Sequence, residues 1–403
     1  MLGRMRLNEL LDVVFRWAHL IAGIMWIGNS MLFNWLDRNL IKPPADPAHR
    51  LSQGTIFMVH SGAFYEVEKK LLEPGALPDQ LHWFKWQNFT TWATGISLLV
   101  IVYYMNGAAF LVDPSRPWGA ALAPATAVQL SIASLVAGWI IYDVLWMTLG
   151  KRAEMLAQVL TFALIVGAAW CFTQMFSGRA AYIQTGVLIG TLMTGNVWLR
   201  IMPSQKELIA ATKTGREQDV TLSLRAKQRS IHNNYFTFPL LFIMVSNHFP
   251  GTYGHHLRFF ILFAVMIGGA GVRHFMNVRY AGRTWLLPAI GMGALGVAGM
   301  LVLTSIKEQP AVVVTDQVGF ARAQEIIVRR CMPCHSSHPT DDQFTTAPAD
   351  VKFDTPERIV QMAPRIKERA VETKTMPFLN KTKMEEQERA ELGAWIAQGA
   401  KLQ

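Results

Sequence analysis

Two cysteines and a histidine near the end of the chain have the spacing of a haem-attachment site. The stretch "CMPCH", from Cys331 to His335, follows the C-x-x-C-H pattern, in which two thiols add to the haem vinyl groups and the adjacent imidazole reaches the iron. A zinc site formed by Cys331, Cys334, His335 and His338 is the main alternative, but contiguous Cys and His suit a tetrahedral cage poorly. A redox-active cysteine pair is disfavoured because no thioredoxin-like βαβ pattern surrounds the motif. The spacing therefore predicts a covalently bound haem c with His335 as an axial iron ligand.

The second axial ligand is expected from a methionine later in the chain. Met376 stands in "TKTMPFLN", before a proline in a loop, where its thioether can be aimed at the iron. Met362 and Met384 lie in charged, helix-like sequence and are weaker candidates. Thioether ligation raises the potential of a haem, so this segment is expected to accept electrons.

Polar side chains within apolar stretches form a second set of candidates. Arg16, His19 and Gly23 fall at steps of three or four and share one helix face. Charged groups inside a membrane are costly and usually mark a function, and Gly23 leaves room for a flat porphyrin beside His19. One interpretation is a haem b held by His19 with His274 or His232. The other is that these histidines hydrogen-bond to neighbouring helices.

Further polar residues lie in or beside the later apolar stretches. They are Asp143, Asn196, Arg200, His232, Asn233, Asn234, Arg273 and His274, with His60 in an amphipathic segment. The arginines and asparagines at similar depth suit a small anionic substrate with hydrogen-bonding edges. His60 alone is read more simply as a surface histidine.

The composition is that of a membrane protein. Of the 403 residues, 51% are hydrophobic and only 16% are charged, far from the balance of a soluble domain. The net charge of +10 comes without a basic stripe interleaved with aromatic residues, so nucleic acid is not expected as a partner. Cys171 lies in an apolar stretch and is read as a small buried hydrophobe.

Eight apolar stretches are long enough to cross a lipid bilayer, which takes about 20 residues each. They cover residues 10–36, 83–105, 125–149, 155–176, 181–201, 232–249, 257–278 and 284–305. Residues 38–82 are too charged to span, and "TIFMVHSGAFYEVEKKLLEPG" is predicted to be an amphipathic helix on the membrane that ends at Pro74-Gly75.

The sequence changes character after Ile306. Residues 1–306 are predicted to be an eight-helix transmembrane catalytic domain, 307–314 a linker, and 315–403 a small soluble domain that a cofactor helps to stabilise. Helices are expected in "QVGFARAQEIIVRR" before the haem motif and in "EEQERAELGAWIAQGA" at the end, where Leu392, Trp395 and Ile396 pack on the first. The segment resembles class I cytochromes c, so the whole chain is expected to be all-α, an eight-span helix bundle followed by a small cytochrome c domain.

The placement of Lys and Arg predicts the orientation. Clusters of positive charge lie in alternate loops, including 38–85 and 200–229, and such loops face the cytoplasm. With eight spans, both ends of the chain then face outward. The expected location is a bacterial inner membrane with the haem domain in the periplasm.

Two membrane stretches and the fused haem domain together carry a family resemblance. "VHSGAFYEVEKK" and "SIHNNYFTFPLLFIMVSNHFP", followed by a C-terminal cytochrome c, resemble the membrane-bound, cytochrome c-linked bacterial urate oxidases. The resemblance implies oxidation of urate to 5-hydroxyisourate, with electrons passed through haem c to respiratory acceptors such as soluble cytochrome c or a terminal oxidase.

The resemblance gives the polar residues provisional roles. Arg16 or Arg273 would pair with the urate monoanion, and Asn233 and Asn234 would bind its amide edges. Asp143, His60 or His232 would remove a proton as electrons leave.

A cytoplasmic substrate site would lie about 30 Å of hydrocarbon away from a periplasmic haem. Either the substrate pocket opens toward the periplasm, or the haem b at His19 relays electrons. The alternative function is a membrane-anchored haem electron-transfer subunit that serves a separate dehydrogenase.

Overall fold

The computed structural model describes the chain except residues 1–6, 47–48, 106–107, 109, 279–283, 307–311, 313, 315, 343, 345 and 403. The predicted linker 307–314 therefore lies almost entirely outside the described residues. The first part of the chain is a bundle of long helices. Its helices are α1 (Leu7–Asn39), α2 (Lys85–Leu99), α3 (Pro124–Thr148), α4 (Glu154–Met175), α5 (Gly178–Asn196), α6 (Met202–Thr214), α7 (Val220–Val245), the short α8 (Pro250–Tyr253), α9 (Arg258–Val278) and α10 (Leu286–Ser305). Two of them continue into π-helical turns, α2 into Val100–Tyr104 and α5 into Val197–Ile201.

Each of the eight predicted apolar stretches falls on one of these long helices. Among the described residues, five helices are long and apolar enough to cross a membrane by length and composition: α1 from Glu9, α3, α4, α9 and α10. Helix α2 has only 15 residues, and α7 begins with the charged sequence "VTLSLRAKQR". Spans at α2, α5 and α7 stay predictions.

The outer surface of the bundle is apolar. Side chains such as Trp17, Leu287 and Met155 are exposed, and exposed apolar surface of this extent is typical of a protein that contacts lipid. Helix α5 is the central element, because it contacts α2, α3, α4 and α7 and most of its residues are buried. Its buried polar groups are paired with neighbours: Gln184 accepts a hydrogen bond of 2.8 Å from Ser131 on α3.

The segment between α1 and α2 is a β-hairpin, so the predicted amphipathic helix in residues 38–82 was wrong. Strands β1 (Ser52–His60) and β2 (Ala63–Lys70) pair antiparallel, with Val59 opposite Phe64. The connecting residues Ser61 and Gly62 both have positive φ, as the tight two-residue turns of hairpins require. Runs of β-branched and aromatic residues on both sides of this Ser-Gly pair were the signal for strands.

A second, separate core forms the C-terminal domain, which we call the tail. Its helices are α11 (Phe320–Arg330), α12 (Pro356–Gln361), α13 (Ala363–Ile366) and α14 (Glu386–Ala397). The two predicted helices are α11 and α14, and they pack together with the rings of Phe320 and Trp395 5.9 Å apart. Leu392 and Trp395 are buried as predicted, and Ile396 is partly buried in the same core.

The tail lies against one end of the bundle. That end consists of the connections between α2 and α3, α4 and α5, and α7 and α9. The ring of Phe110 from the first connection lies 4.3 Å from that of Phe378 in the tail. The prediction from positive charge places this same end on the outer side of the membrane.

Helices α9 and α10 approach closely at a pair of glycines, which generates a prediction for stability. A Cβ at Gly268 would lie 2.9 Å from the Cα of Gly296, whereas a Cβ at Gly291 on α10 would meet nothing within 4 Å. Gly268→Ala is therefore expected to destabilise the bundle by about 1–3 kcal/mol through overpacking, offset in part by the about 1 kcal/mol helix preference of Ala over Gly. Thermal unfolding of the detergent-solubilised protein measures the effect.

Gly291→Ala is the matched control, because it gains the same helix preference without the contact. An apparent Tm of Gly268→Ala equal to that of Gly291→Ala would contradict close packing at this point.

Candidate functional site

A cavity of about 470 Å³ lies between the tail and the end of the bundle. Cys331, Cys334 and His335 line it from the tail, and Phe110, Arg179 and Tyr253 line it from the bundle. The C-x-x-C-H motif thus shares this cavity with the end of the helical bundle. The volume is that of a typical cofactor or ligand site.

His335 has the geometry of an imidazole prepared to bind a metal. Its Nδ1 lies 3.0 Å from the carbonyl oxygen of Val351. Because a carbonyl only accepts hydrogen bonds, Nδ1 carries the proton, and Nε2 keeps its lone pair for a ligand bond. Burial lowers the pKa of His335, which favours this neutral form.

The two cysteines are protonated thiols in this environment. Burial raises the pKa of Cys331 to about 12 and, with the nearby carboxylate of Asp341, raises the pKa of Cys334 to about 11. Across the described residues, no group of three or more His, Cys, Asp or Glu side chains is arranged as metal ligands.

Two of the three candidate methionines line the cavity. Met376 and Met362 both do so, whereas Met384 is buried in the core of the tail. The backbone of Met376 is fixed from both sides: its N–H donates to the carbonyl of Arg369 over 2.9 Å, and its carbonyl accepts a hydrogen bond of 2.7 Å from Arg389. Met376 stays the preferred axial ligand, with Met362 as its rival.

Seven cationic side chains are among the residues that line the cavity. They are Arg116, Arg179, Arg330, Arg365, Arg369, Lys374 and Lys381. A haem carries two carboxylates, which arginine binds well. The donor set, the volume and the positive lining therefore fit a haem attached at Cys331 and Cys334.

A glycine on the bundle allows the tail to come close beside Met376. A Cβ at Gly254 would lie 2.5 Å from Cγ2 of Thr375 and 3.1 Å from Cβ of Thr373, as well as 2.8 Å from the carbonyl of Pro250 in its own turn. The contact joins the connection between α7 and α9 to the loop that carries Met376. Docking of the tail at this position depends on the absence of a side chain at 254.

A buried polar centre lies toward the other end of the bundle. Asp143 of α3 accepts hydrogen bonds of 2.9 Å from Nε of Arg200 and from Nη2 of Arg229, and a second one from Nη2 of Arg200. Asp143 lies 19 residues beyond Pro124, the start of α3, which corresponds to about 28 Å along a helix axis. We call this group the Asp143 cluster.

Side chains from α3, α5 and α7 extend the Asp143 cluster. The hydroxyl of Tyr142 shares a hydrogen bond of 2.7 Å with Nδ1 of His232 and accepts one of 2.9 Å from Asn196. Asn196 also donates to the side-chain oxygen of Asn233 over 2.9 Å. The ring of His232 lies 4.0 Å from that of Trp146. These residues place acid–base and amide groups beside the arginines.

Asn234 and Arg273 form a neighbouring group. Nε of Arg273 donates to the side-chain oxygen of Asn234 over 2.6 Å, and Asn277 donates to the same oxygen over 2.8 Å. Arg38, at the end of α1, donates to the carbonyl of Asn277. The structure therefore brings Asn234 and Arg273 together, next to the Asp143 cluster along α7, and their roles toward a substrate stay predictions.

The remaining predicted residues lie elsewhere. Arg16 pairs with Asp12 on its own helix over 2.8 Å, about 33 Å along α1 from Arg38 by helix rise. His60 is exposed near the tip of the hairpin, with its ring 6.4 Å from that of Tyr65. Neither residue is brought to the Asp143 cluster.

The histidines of the haem b hypothesis contact different helices. Nδ1 of His19 lies 2.9 Å from the carbonyl oxygen of Thr91 on α2, and its ring packs against Gly95. His274 is exposed and bonds to the hydroxyl of Tyr235 on α7 over 2.8 Å. The first arrangement leaves Nε2 of His19 for a ligand bond, and the second places His274 on the surface.

Arg229 is the residue that the sequence analysis missed. Its charge was assigned to a cytoplasmic loop, but the side chain is fully buried at 0% exposure. The sequence signal that could have identified Arg229 was its position three residues before His232 and four before Asn233. This spacing places all three side chains on one helix face.

Comparison with known protein families matches residues 5–304 to the urate oxidase N-terminal family. The match covers most of the chain and both polar groups of the bundle, so the chain belongs to this family. No curated protein and no solved structure matches the chain.

The cavity generates a prediction about the axial ligands. With haem bound, Met376→Ala is expected to abolish the long-wavelength absorption band that reports thioether–iron ligation and to lower the midpoint potential, because a thioether favours the reduced state. Absorption spectroscopy and redox titration of the purified protein measure both. Met362→Ala is the matched control, and loss of the band in Met362→Ala instead would assign the ligand to Met362.

The Gly254 contact generates a prediction about docking. With haem bound in the tail and reduced through the bundle, Gly254→Ala is expected to slow that reduction without changing the haem spectrum, because the added Cβ overlaps Cγ2 of Thr375. The double variant Gly254→Ala/Thr375→Ser removes that methyl group and should recover the rate, although the contact with Pro250 persists. Stopped-flow absorption measures the reduction, and equal rates in the single and double variants would contradict a docking role.

Proposed function

We propose that this member of the urate oxidase N-terminal family oxidises urate to 5-hydroxyisourate and passes the electrons to a haem c in the tail. One observation carries the proposal: the cavity at the C-x-x-C-H motif is shared with the end of a bundle that matches the urate oxidase family. Haem bound in this cavity would supply a one-electron acceptor directly against the helices.

The reaction defines what the bundle has to do. Urate and water give 5-hydroxyisourate, two protons and two electrons, so the site must hold a planar anion and accept protons. The hydroxyl of Tyr142 hydrogen-bonds to both His232 and Asn196. Asn196 in turn donates a hydrogen bond to Asn233. We assign proton acceptance to His232 and hydrogen bonding to the substrate edges to the two asparagines.

The sequence makes Asp143 a candidate to remove a proton from the substrate, but its contacts in the bundle favour a different role. Its carboxylate accepts hydrogen bonds from two guanidinium groups. We assign it the role of holding the two arginines in place. His60, exposed on the hairpin, is left without a part in the chemistry.

Electrons must travel from the Asp143 cluster to the cavity at the other end of the bundle. Asp143 lies about 28 Å along the axis of α3 from Pro124, the start of that helix at the cavity end of the bundle, so the proposal includes an intermediate carrier. His19 is the candidate ligand, because its Nδ1 is tied to the carbonyl of Thr91 in the manner of metal-binding histidines.

The proposed location is a bacterial inner membrane with the tail in the periplasm. Five helices suited to crossing a membrane and the positive charge in alternate loops support this orientation. Soluble cytochrome c or a terminal oxidase would then receive the electrons from the tail.

The deciding experiment adds urate anaerobically to the purified, oxidised protein and follows the absorption of haem c. Urate is expected to reduce two equivalents of haem per molecule and to sustain reduction of added soluble cytochrome c, without hydrogen peroxide. Reduction by dithionite but not by urate would instead identify an electron-transfer subunit that serves a separate dehydrogenase.

The role of His232 generates a prediction within this assay. His232→Gln is expected to lower kcat for urate by about 10²-fold or more, the usual contribution of a general base, with the haem spectrum unchanged. His248→Gln, at an exposed histidine beyond the end of α7, is the matched control and should retain full activity. Equal activities of the two variants would exclude His232 from proton transfer.

A further inference from the structure

Arg229 is a buried charge with donors to spare. Its side chain is 0% exposed, and only Nη2 is engaged, with Asp143. Among the described residues, neither Nε nor Nη1 of Arg229 has a hydrogen-bond partner. Buried polar groups are almost always satisfied, and an incompletely paired buried guanidinium is strongly destabilising. The two donors therefore indicate a missing acceptor.

The charge count of the Asp143 cluster leads to the same conclusion. Arg200 and Arg229 contribute two positive charges, and Asp143 is the one carboxylate within ion-pair distance of either guanidinium in the described part of the chain. The cluster thus carries a net charge of +1 within an apolar bundle. A single additional negative charge would neutralise it, and a monoanion has that charge.

The surroundings favour a flat ligand with its own hydrogen-bonding edges. The guanidinium of Arg229 lies over the ring of Tyr142 at 4.7 Å and near that of Trp146 at 5.9 Å. The side-chain oxygen of Asn196 is also buried and lacks a partner within the described residues. It can accept a hydrogen bond from a ligand N–H, while Arg229 donates to a ligand oxygen or ring nitrogen.

Arg200 gives this centre a connection to the surface. Its side chain is 25% exposed, whereas that of Arg229 is fully buried. Arg200 belongs to the π-helical turn Val197–Ile201 that follows Asn196, and such turns are frequent at functional sites. Entry of a ligand past Arg200 would bring it against both arginines.

We propose that Arg229 and Asn196 form the binding site for a planar, monoanionic oxopurine, and that the ligand's charge completes the Arg200–Asp143–Arg229 ion cluster. The proposal rests on the proposed function, since urate is the ligand of this class that the family implies. Arg273 then belongs to a separate interhelical contact with Asn234, and Arg16 to the surface of α1.

Equilibrium dialysis of radiolabelled urate against the full-length, haem-loaded protein tests the site without relying on turnover. Arg229→Gln is expected to weaken urate binding at least about tenfold, the value of one charge-assisted hydrogen bond. Arg225→Gln, one turn earlier on α7, is the matched control and should bind as the wild type does. Caffeine, a planar but uncharged purine, should not displace the label from the wild-type protein.

The outcomes separate the site from the reaction. Urate binding that depends on Arg229 without haem reduction would support the site and overturn the proposed oxidation. Haem reduction by urate with unchanged binding in Arg229→Gln would overturn the site and leave the oxidation standing.

A second variant protects the test against misfolding. If Arg229→Gln does not accumulate with haem, Arg229→Lys keeps the positive charge but lacks the planar set of donors. It should also bind urate at least about tenfold more weakly, and binding equal to that of the wild type would overturn the proposal.

Discussion

The interior of the bundle offers no water to its polar groups, and this constraint explains the arrangement of the helices. A buried side-chain donor or acceptor that its own helix does not satisfy needs a partner from another helix or from a ligand. Asp143 therefore connects α3 to Arg200 after α5 and to Arg229 on α7, while Gln184 of α5 bonds to Ser131 of α3. Helix α5 is central because it carries polar side chains in several directions. The hydrogen bonds and ion pairs that join the helices also bring several charged side chains to the same depth in the bundle.

The Asp143 cluster and the C-x-x-C-H motif lie in different regions of the molecule. The Asp143 cluster lies toward one end of the helices and the C-x-x-C-H cavity at the other. A substrate anion and a cationic cavity for a carboxylate-bearing cofactor would otherwise compete for the same arginines. Because the two regions are apart, each keeps its own ionic partners. An oxidase function that uses both regions would therefore need electrons to move along the helices.

Part of this organisation was readable from the sequence, because long apolar helices leave strong local signals. The eight apolar stretches each fall on a long helix, and the helices flanking the "CMPCH" motif pack as their apolar residues predict. The hairpin was missed because apolar and charged residues in "TIFMVHSGAFYEVEKK" mimic an amphipathic helix, whereas the decisive signal was the Ser61-Gly62 turn. Arg229 was missed because a charge count assigns every Arg near a helix end to a loop. Which arginine turns inward depends on an acidic partner 86 residues earlier in the chain, and no local pattern contains that information.

The contact at Gly254 also has an evolutionary consequence. The space at this position is limited by Thr375 in the tail as well as by Pro250 nearby, so two distant positions share one volume. Related chains that keep a threonine at 375 should keep glycine at 254, while those with serine there lose the tail's closest contact and keep only the limits set by Pro250 and Thr373. Covariation between these positions would record, in sequence alone, that the tail docks on the bundle in the family's ancestry.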